Sequence, residues 1–275
     1  MNMPRSDKVP RDNSGFRQSQ LVARFWLACV WLTIGVTGFV IATGPMVRAD
    51  KTIFDALQRL RGPEADTLMV AVTELGDTFV VTCVTLALMA WFGAQRASFG
   101  AQRAWPTAMY LGAAVGGASL LNTAIKVFAQ RARPVADLYT GWSAFSFPSG
   151  HATVNAVLYG FLGFLLARQL RPAGRVAVGL VLLAFVAAVI FSRLYLGAHW
   201  FSDVAGSLLV AVPWTILLAT SYASRQRPML NLRAVVLVAC VMLALAGGLH
   251  IWQRHALDMA RYGAPFQGAE NLNHP

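Results

Sequence analysis

Seven stretches of this sequence are apolar over lengths that only a membrane-crossing segment requires. They fall at 25–44, 78–94, 105–125, 152–167, 176–192, 204–223 and 234–252. A helix crosses the hydrocarbon core of a bilayer in roughly 20 residues, and the shorter runs reach that length by drawing on neutral flanks. Lipid offers no partners to backbone N–H and C=O groups, so each run must be a helix. The expected fold class is all-α: a polytopic transmembrane helical bundle of six spans plus a seventh. Composition agrees, with 56% apolar and 13% charged residues, against about 25% charged in soluble domains.

The net charge of +11 would suggest nucleic acid if the chain were soluble. Here the basic residues sort by loop, and no nucleic-acid role is expected. Arg5, Lys8, Arg11, Arg17 and Arg24 precede the first run. Arg96 and Arg103, then Arg168, Arg171 and Arg175, then Arg225, Arg227 and Arg233 occupy alternate loops on the same side. Only Asp7 and Asp12 oppose them there. The positive-inside rule makes this side cytoplasmic. Residues 1–24 then form a basic cytoplasmic tail, 25–252 the transmembrane domain and 253–275 an outer-face tail. Run 25–44 is longer than a signal-peptide core and lacks a clear small-x-small cleavage site, so it reads as an uncleaved anchor. Cys29, Cys83 and Cys240 sit in three different runs and read as buried small apolar residues, with neither disulfide nor metal spacing.

Three polar blocks interrupt this pattern: Lys126 to Arg133-Pro134, Pro148-Ser149-Gly150-His151, and Ser192-Arg193 to His199 and Asp203. With the amino terminus inside, all of them fall at span ends on the outer face. Their chemistry suits a phosphate ester. Arg133 and Arg193 offer planar forks for bidentate grip, and Lys126 offers a point charge. Ser149 is a good N-cap, Gly150 allows close backbone approach, and free N–H groups at a helix start form an anion site. His199 and Asp203 are i and i+4 on one helix and share a face. The carboxylate can hold one imidazole nitrogen while the other attacks phosphorus. His151 is left to protonate the leaving group. The two imidazoles must then hold opposite protonation states at one pH.

In identity and order these blocks resemble the type-2 phosphatidic acid phosphatase superfamily, whose motifs read Lys-x6-Arg-Pro, Pro-Ser-Gly-His and Ser-Arg-x5-His-x3-Asp. All eleven fixed positions are present, and the resemblance spans about residues 45–225. It implies a six-helix core, no metal or other cofactor, and a phosphohistidine on His199. Asp203 would orient His199, and His151 would protonate the leaving group. Lys126, Arg133, Ser149, Gly150 and Arg193 would bind phosphate. The expected substrate is a lipid phosphate or diphosphate of the phosphatidic acid, phosphatidylglycerol phosphate or undecaprenyl diphosphate class. The site would face the periplasm of a bacterial inner membrane. A phosphotransferase using the same intermediate remains open. A lipid-binding carrier that cleaves nothing is the other alternative, but it has no use for a His–Asp pair plus a second histidine.

Other residues are less telling. Glu74 and Asp77 are ionisable groups beside a span, and an interfacial position is the bland reading. Ile53, Phe54, Leu57 and Leu60 have helical spacing and suggest a helix lying on the outer surface. Asp137, Tyr139 and Trp142 could touch a head group or simply fold their loop. His250, His255 and His274 lie outside any motif and receive no role.

Overall fold

The computed structural model describes residues 44–94, 104–136, 138–224 and 229–270. The basic tail, nearly all of run 25–44, Cys29, Asp137 and His274 lie outside the described residues. Among those described there is no strand. The helices are α1 (Gly44–Gln58), α2 (Pro63–Leu75), α3 (Thr78–Ala94), α4 (Trp105–Ala129), α5 (Gly150–Ala167), α6 (Pro172–Tyr195), α7 (Phe201–Ala223) and α8 (Leu232–Glu270), with a 3₁₀ turn at Gly141–Ala144. Six segments are long and apolar enough to cross a membrane: Pro63–Ala94, Trp105–Ala129, Gly150–Ala167, Pro172–Tyr195, Phe201–Ala223 and Leu232–Gly263. The all-α transmembrane bundle expected from the sequence is the observed fold.

Local chemistry sets the helix ends. Proline lies in the first turn of α2, α4 and α6, where its missing N–H costs nothing and its fixed φ suits the helix. Helix α4 stops at Gln130, which takes a left-handed φ of 46° and donates its N–H to the Lys126 carbonyl at 3.1 Å. That reversal sends Arg131 and Arg133 back over the bundle. Gly197, with φ 67°, makes the equivalent turn after α6. A side chain there would be strained in φ. Its Cβ would also meet Phe54 and Val135 at 3.1 Å.

Lipid is as apolar as leucine, so helices in it associate through close packing. Helix α5 is the central element, packed against α4, α6 and α7. Its Val157, Leu158, Phe161 and Leu165 are almost fully buried. Small residues permit the tightest contacts. A Cβ on Gly206 of α7 would fall 2.3 Å from the ring of Phe147, the residue before Pro148.

Two boundaries differ from the sequence reading. The span expected at 78–94 begins at Pro63 and is broken at Gly76–Asp77 into α2 and α3. The last span was expected to end at 252, with a tail beyond it. Helix α8 instead continues to Glu270. Its polar residues there pair inside the protein: His255 Nδ1 lies 2.9 Å from Glu74 Oε2, and Arg61 Nη2 donates to the Tyr262 carbonyl at 3.0 Å. Helix α1 covers the expected surface helix but starts earlier, and it packs on α6 and α7. Among the cysteines, Cys83 is half-buried and Cys240 exposed on the helix surface, not buried as the sequence suggested.

Candidate active site

The C-terminal ends of α4 and α6 and the N-terminal ends of α5 and α7 meet at one end of the bundle, around a cavity of about 240 Å³. Lys126, Arg133, Gly150, His151, Arg193 and His199 all line it. The three sequence blocks thus converge on one space. Lys126 and Arg193 are 4% and 1% exposed. They are not the snorkelling anchors that basic residues at span ends usually are.

Each cation is held in place. Lys126 Nζ donates to the Phe145 carbonyl at 2.8 Å. Arg133 donates through Nε and Nη2 to the Ser143 carbonyl, at 3.2 and 2.7 Å, and its guanidinium lies over the Tyr139 ring, 4.3 Å from the centroid. Burial and then the neighbouring Arg193 charge push the Arg133 pKa down to about 10, which leaves it protonated at neutral pH. Arg193 donates through Nη1 to Thr73 Oγ1 and Tyr262 Oη, both at 2.8 Å, and through Nη2 to Tyr139 Oη at 2.7 Å. Tyr139 and Tyr262 also share a short hydrogen bond between their hydroxyls. Arg193 Nε is buried with no partner among the described residues. A buried donor without an acceptor is costly, and an anion in the cavity is the kind of group that would satisfy it.

His199 is 3% exposed, and its environment fixes its tautomer. Arg133 Nη1 lies 3.2 Å from His199 Nε2. Arginine only donates, so Nε2 must present its lone pair and the ring proton sits on Nδ1. Nδ1 faces Asp203 Oδ2 at 3.4 Å, within ion-pair range but outside hydrogen-bond geometry. Burial first, and then the Arg133, Arg193 and Lys126 charges, hold the imidazole well below its ordinary value of 6.5. His199 is therefore neutral at physiological pH.

Asp203 lies behind His199, fully buried. Its Oδ2 accepts from the Trp200 N–H at 2.8 Å and its Oδ1 from Arg131 Nη1 at 2.6 Å. Arg131 in turn donates through Nη2 to Asp50 Oδ2 at 2.7 Å. Asp50 also accepts from the Ser202 N–H at 2.9 Å and from the Ser202 hydroxyl. This chain of charges, Asp50–Arg131–Asp203–His199, was not read from the sequence. Arg131 stood in the variable stretch of the first block, and Asp50 just before the segment taken as a surface helix.

Ser149 caps α5, its Oγ accepting from the Ala152 N–H at 3.4 Å. It is fully buried and sits behind the cavity wall. Gly150 is on the wall, and a Cβ there would meet only Asn122 Oδ1, at 3.6 Å. The protein therefore leaves open the space a side chain would fill. His151 faces the cavity with its side chain 17% exposed, and its Nε2 lies 3.8 Å from Asp77 Oδ2. Tyr139 and Trp142, left open by the sequence, both line the cavity. No group of three or more potential metal ligands occurs among the described residues.

Comparison with known proteins places this arrangement. A family model described as the PAP2 superfamily matches residues 107–227. Phosphatidylglycerophosphatase B of Bacillus subtilis (strain 168) is 31% identical over 168 residues, covering 60% of this chain and 79% of the relative. The crystal structure of a transmembrane PAP2-type phosphatidylglycerolphosphate phosphatase from Bacillus subtilis superposes with a TM-score of 0.63 at 24% identity, covering 74% of this chain and 98% of that one. With six apolar helices of spanning length and the three convergent blocks, the chain is an integral membrane protein that belongs to the PAP2 superfamily.

Proposed function

We propose that this protein is a membrane phosphatase that hydrolyses a lipid phosphate at the outer leaflet through a phosphohistidine on His199. The observation that carries the reading is the neutral His199 Nε2, with Asp203 behind its other nitrogen, set among Lys126, Arg133 and Arg193. Nε2 attacks phosphorus as the bond to the leaving oxygen breaks. That oxygen takes a proton from His151. Water then attacks the phosphohistidine, giving up a proton to His151 and releasing inorganic phosphate. The cations and the N–H groups at the start of α5 stabilise the charge that spreads over the equatorial oxygens. Ser149 shapes this helix start. Phosphatidylglycerol phosphate is the first substrate to test, because the relative of 79% coverage carries that activity in its name.

Purified protein is expected to release phosphate from phosphatidylglycerol phosphate in EDTA, and vanadate is expected to block it. Rapid quenching of turnover on ³²P-labelled substrate should leave acid-labile, alkali-stable label on the wild type and none on His199→Ala. Loss of turnover in EDTA, restored by Mg²⁺, would refute this mechanism.

The outward-facing site has its own test. In a background without Cys29, Cys83 and Cys240, a cysteine at exposed Trp142 should react with an impermeant thiol reagent in intact spheroplasts. One at exposed Arg171, at the opposite end of the bundle, should react only after lysis. The reverse pattern would invert the topology.

A further inference from the structure

A general acid must carry a proton, yet His151 stands in a cationic site. The charges around it are Arg193 from α6, Arg133 from the loop after α4, Lys126 from α4 and, when protonated, His250 from α8. His199 adds a neutral imidazole. Among the described residues one carboxylate lines the cavity beside this group: Asp77 in the α2–α3 turn, with Oδ2 3.8 Å from His151 Nε2. Its other oxygen, Oδ1, lies 3.7 Å from His250 Nε2. The His250 ring is stacked on Phe79, with centroids 5.6 Å apart.

We infer that Asp77 is a positioning residue for His151: its carboxylate supplies the counter-charge that opposes the three cations and favours the proton-bearing form of this imidazole, with His250 beside its other oxygen. The inference rests on the reading of His151 as general acid. Opposite charges within about 4–6 Å favour each other's ionised forms. Repulsion from Arg133, Arg193 and Lys126 works against the proton, and Asp77 opposes it. Neither Asp77 nor His250 belongs to the three sequence blocks.

The rival explanation is structural. Asp77 Oδ1 accepts from the Phe79 N–H at 2.8 Å and so caps α3. Asparagine caps a helix about as well as aspartate. Asp77→Asn therefore removes the charge and keeps the cap, and His151→Gln removes the acid itself.

The experiment compares two leaving groups. Dioctanoyl phosphatidate expels a poor alkoxide that needs a proton, and p-nitrophenyl phosphate expels a phenolate that leaves without one. Asp77→Asn is expected to lower kcat/KM on the phosphatidate about 10-fold, a fraction of the roughly 10²–10⁴ a general acid contributes, and on the aryl phosphate by less than about 2-fold. The alkaline limit of kcat/KM should move to lower pH, a readout that a lost cap would not shift. Equal losses on both substrates, or no loss, in Asp77→Asn would overturn the role of Asp77 while a selective His151→Gln upheld the general acid. Equal losses of kcat/KM in His151→Gln would overturn both, because kcat/KM reports leaving-group departure and not the later hydrolysis step that the two substrates share.

Discussion

His199→Ala should lose at least about 10³-fold in phosphate release, because the proposed nucleophile and not an accessory group is gone. The protein should still fold and insert, since among the described residues the ring bonds to Arg133 Nη1 alone and faces Asp203. Asp203→Asn separates orientation from presence. Its amide oxygen can still accept from Arg131, but the amide nitrogen then meets two donors, the Trp200 N–H and the His199 Nδ1–H. Moving the ring proton to Nε2 would only set it against Arg133 Nη1, so the ring turns away and the attacking lone pair loses its aim. The single-turnover rate should fall by roughly 10²- to 10⁴-fold, as in triads whose imidazole loses its orienting carboxylate. Vanadate affinity should stay near wild type, since no cation is lost. A large loss of vanadate affinity would show that Asp203 shapes the phosphate site instead. The acid limb of kcat/KM follows the same logic. Because the proposed nucleophile must be neutral to attack and His199 is held well below 6.5, activity should persist below pH 6.5.

Arg131→Ala should be the most destabilising single change at the site. Arg131 is the common donor to Asp50 and Asp203, which are 1% and 0% exposed. Removing it strands two buried carboxylates. Breaking a buried pair costs about 3–5 kcal/mol, most of it the penalty of the charge left behind. Activity should be lost as well, because Asp203 would no longer be held against His199. Thermal unfolding in detergent measures the first effect. Adding Asp50→Asn to Arg131→Ala neutralises one stranded charge, so the double variant should recover stability without recovering activity. A wild-type melting temperature in Arg131→Ala would show that this network does not hold the site.

The membrane class, the span order and the eleven motif positions were legible in the chain because each is a local signal. An apolar run long enough for a bilayer declares itself in a window of roughly 20 residues, and the i, i+4 spacing of His199 and Asp203 already places them on one helical face. The end of α8 was misplaced because hydropathy falls at His255, Asp258 and Arg261. A linear window cannot know that Glu74 will meet His255 in the folded chain. The supporting residues were hidden for the same reason. Asp50 and Arg131 are 81 positions apart, and Arg193 and Tyr262 are 69 apart. No spacing rule links such pairs, and each residue alone looks like an ordinary surface charge or interfacial tyrosine. By itself the sequence determined that the chain spans the membrane and which side chains would meet at the proposed phosphate site. Only the packing of α1, α2 and α8 around the motif helices decided what orients Asp203, what holds Arg193 and which carboxylate faces His151, because those contacts arise from helix docking and have no periodicity along the chain.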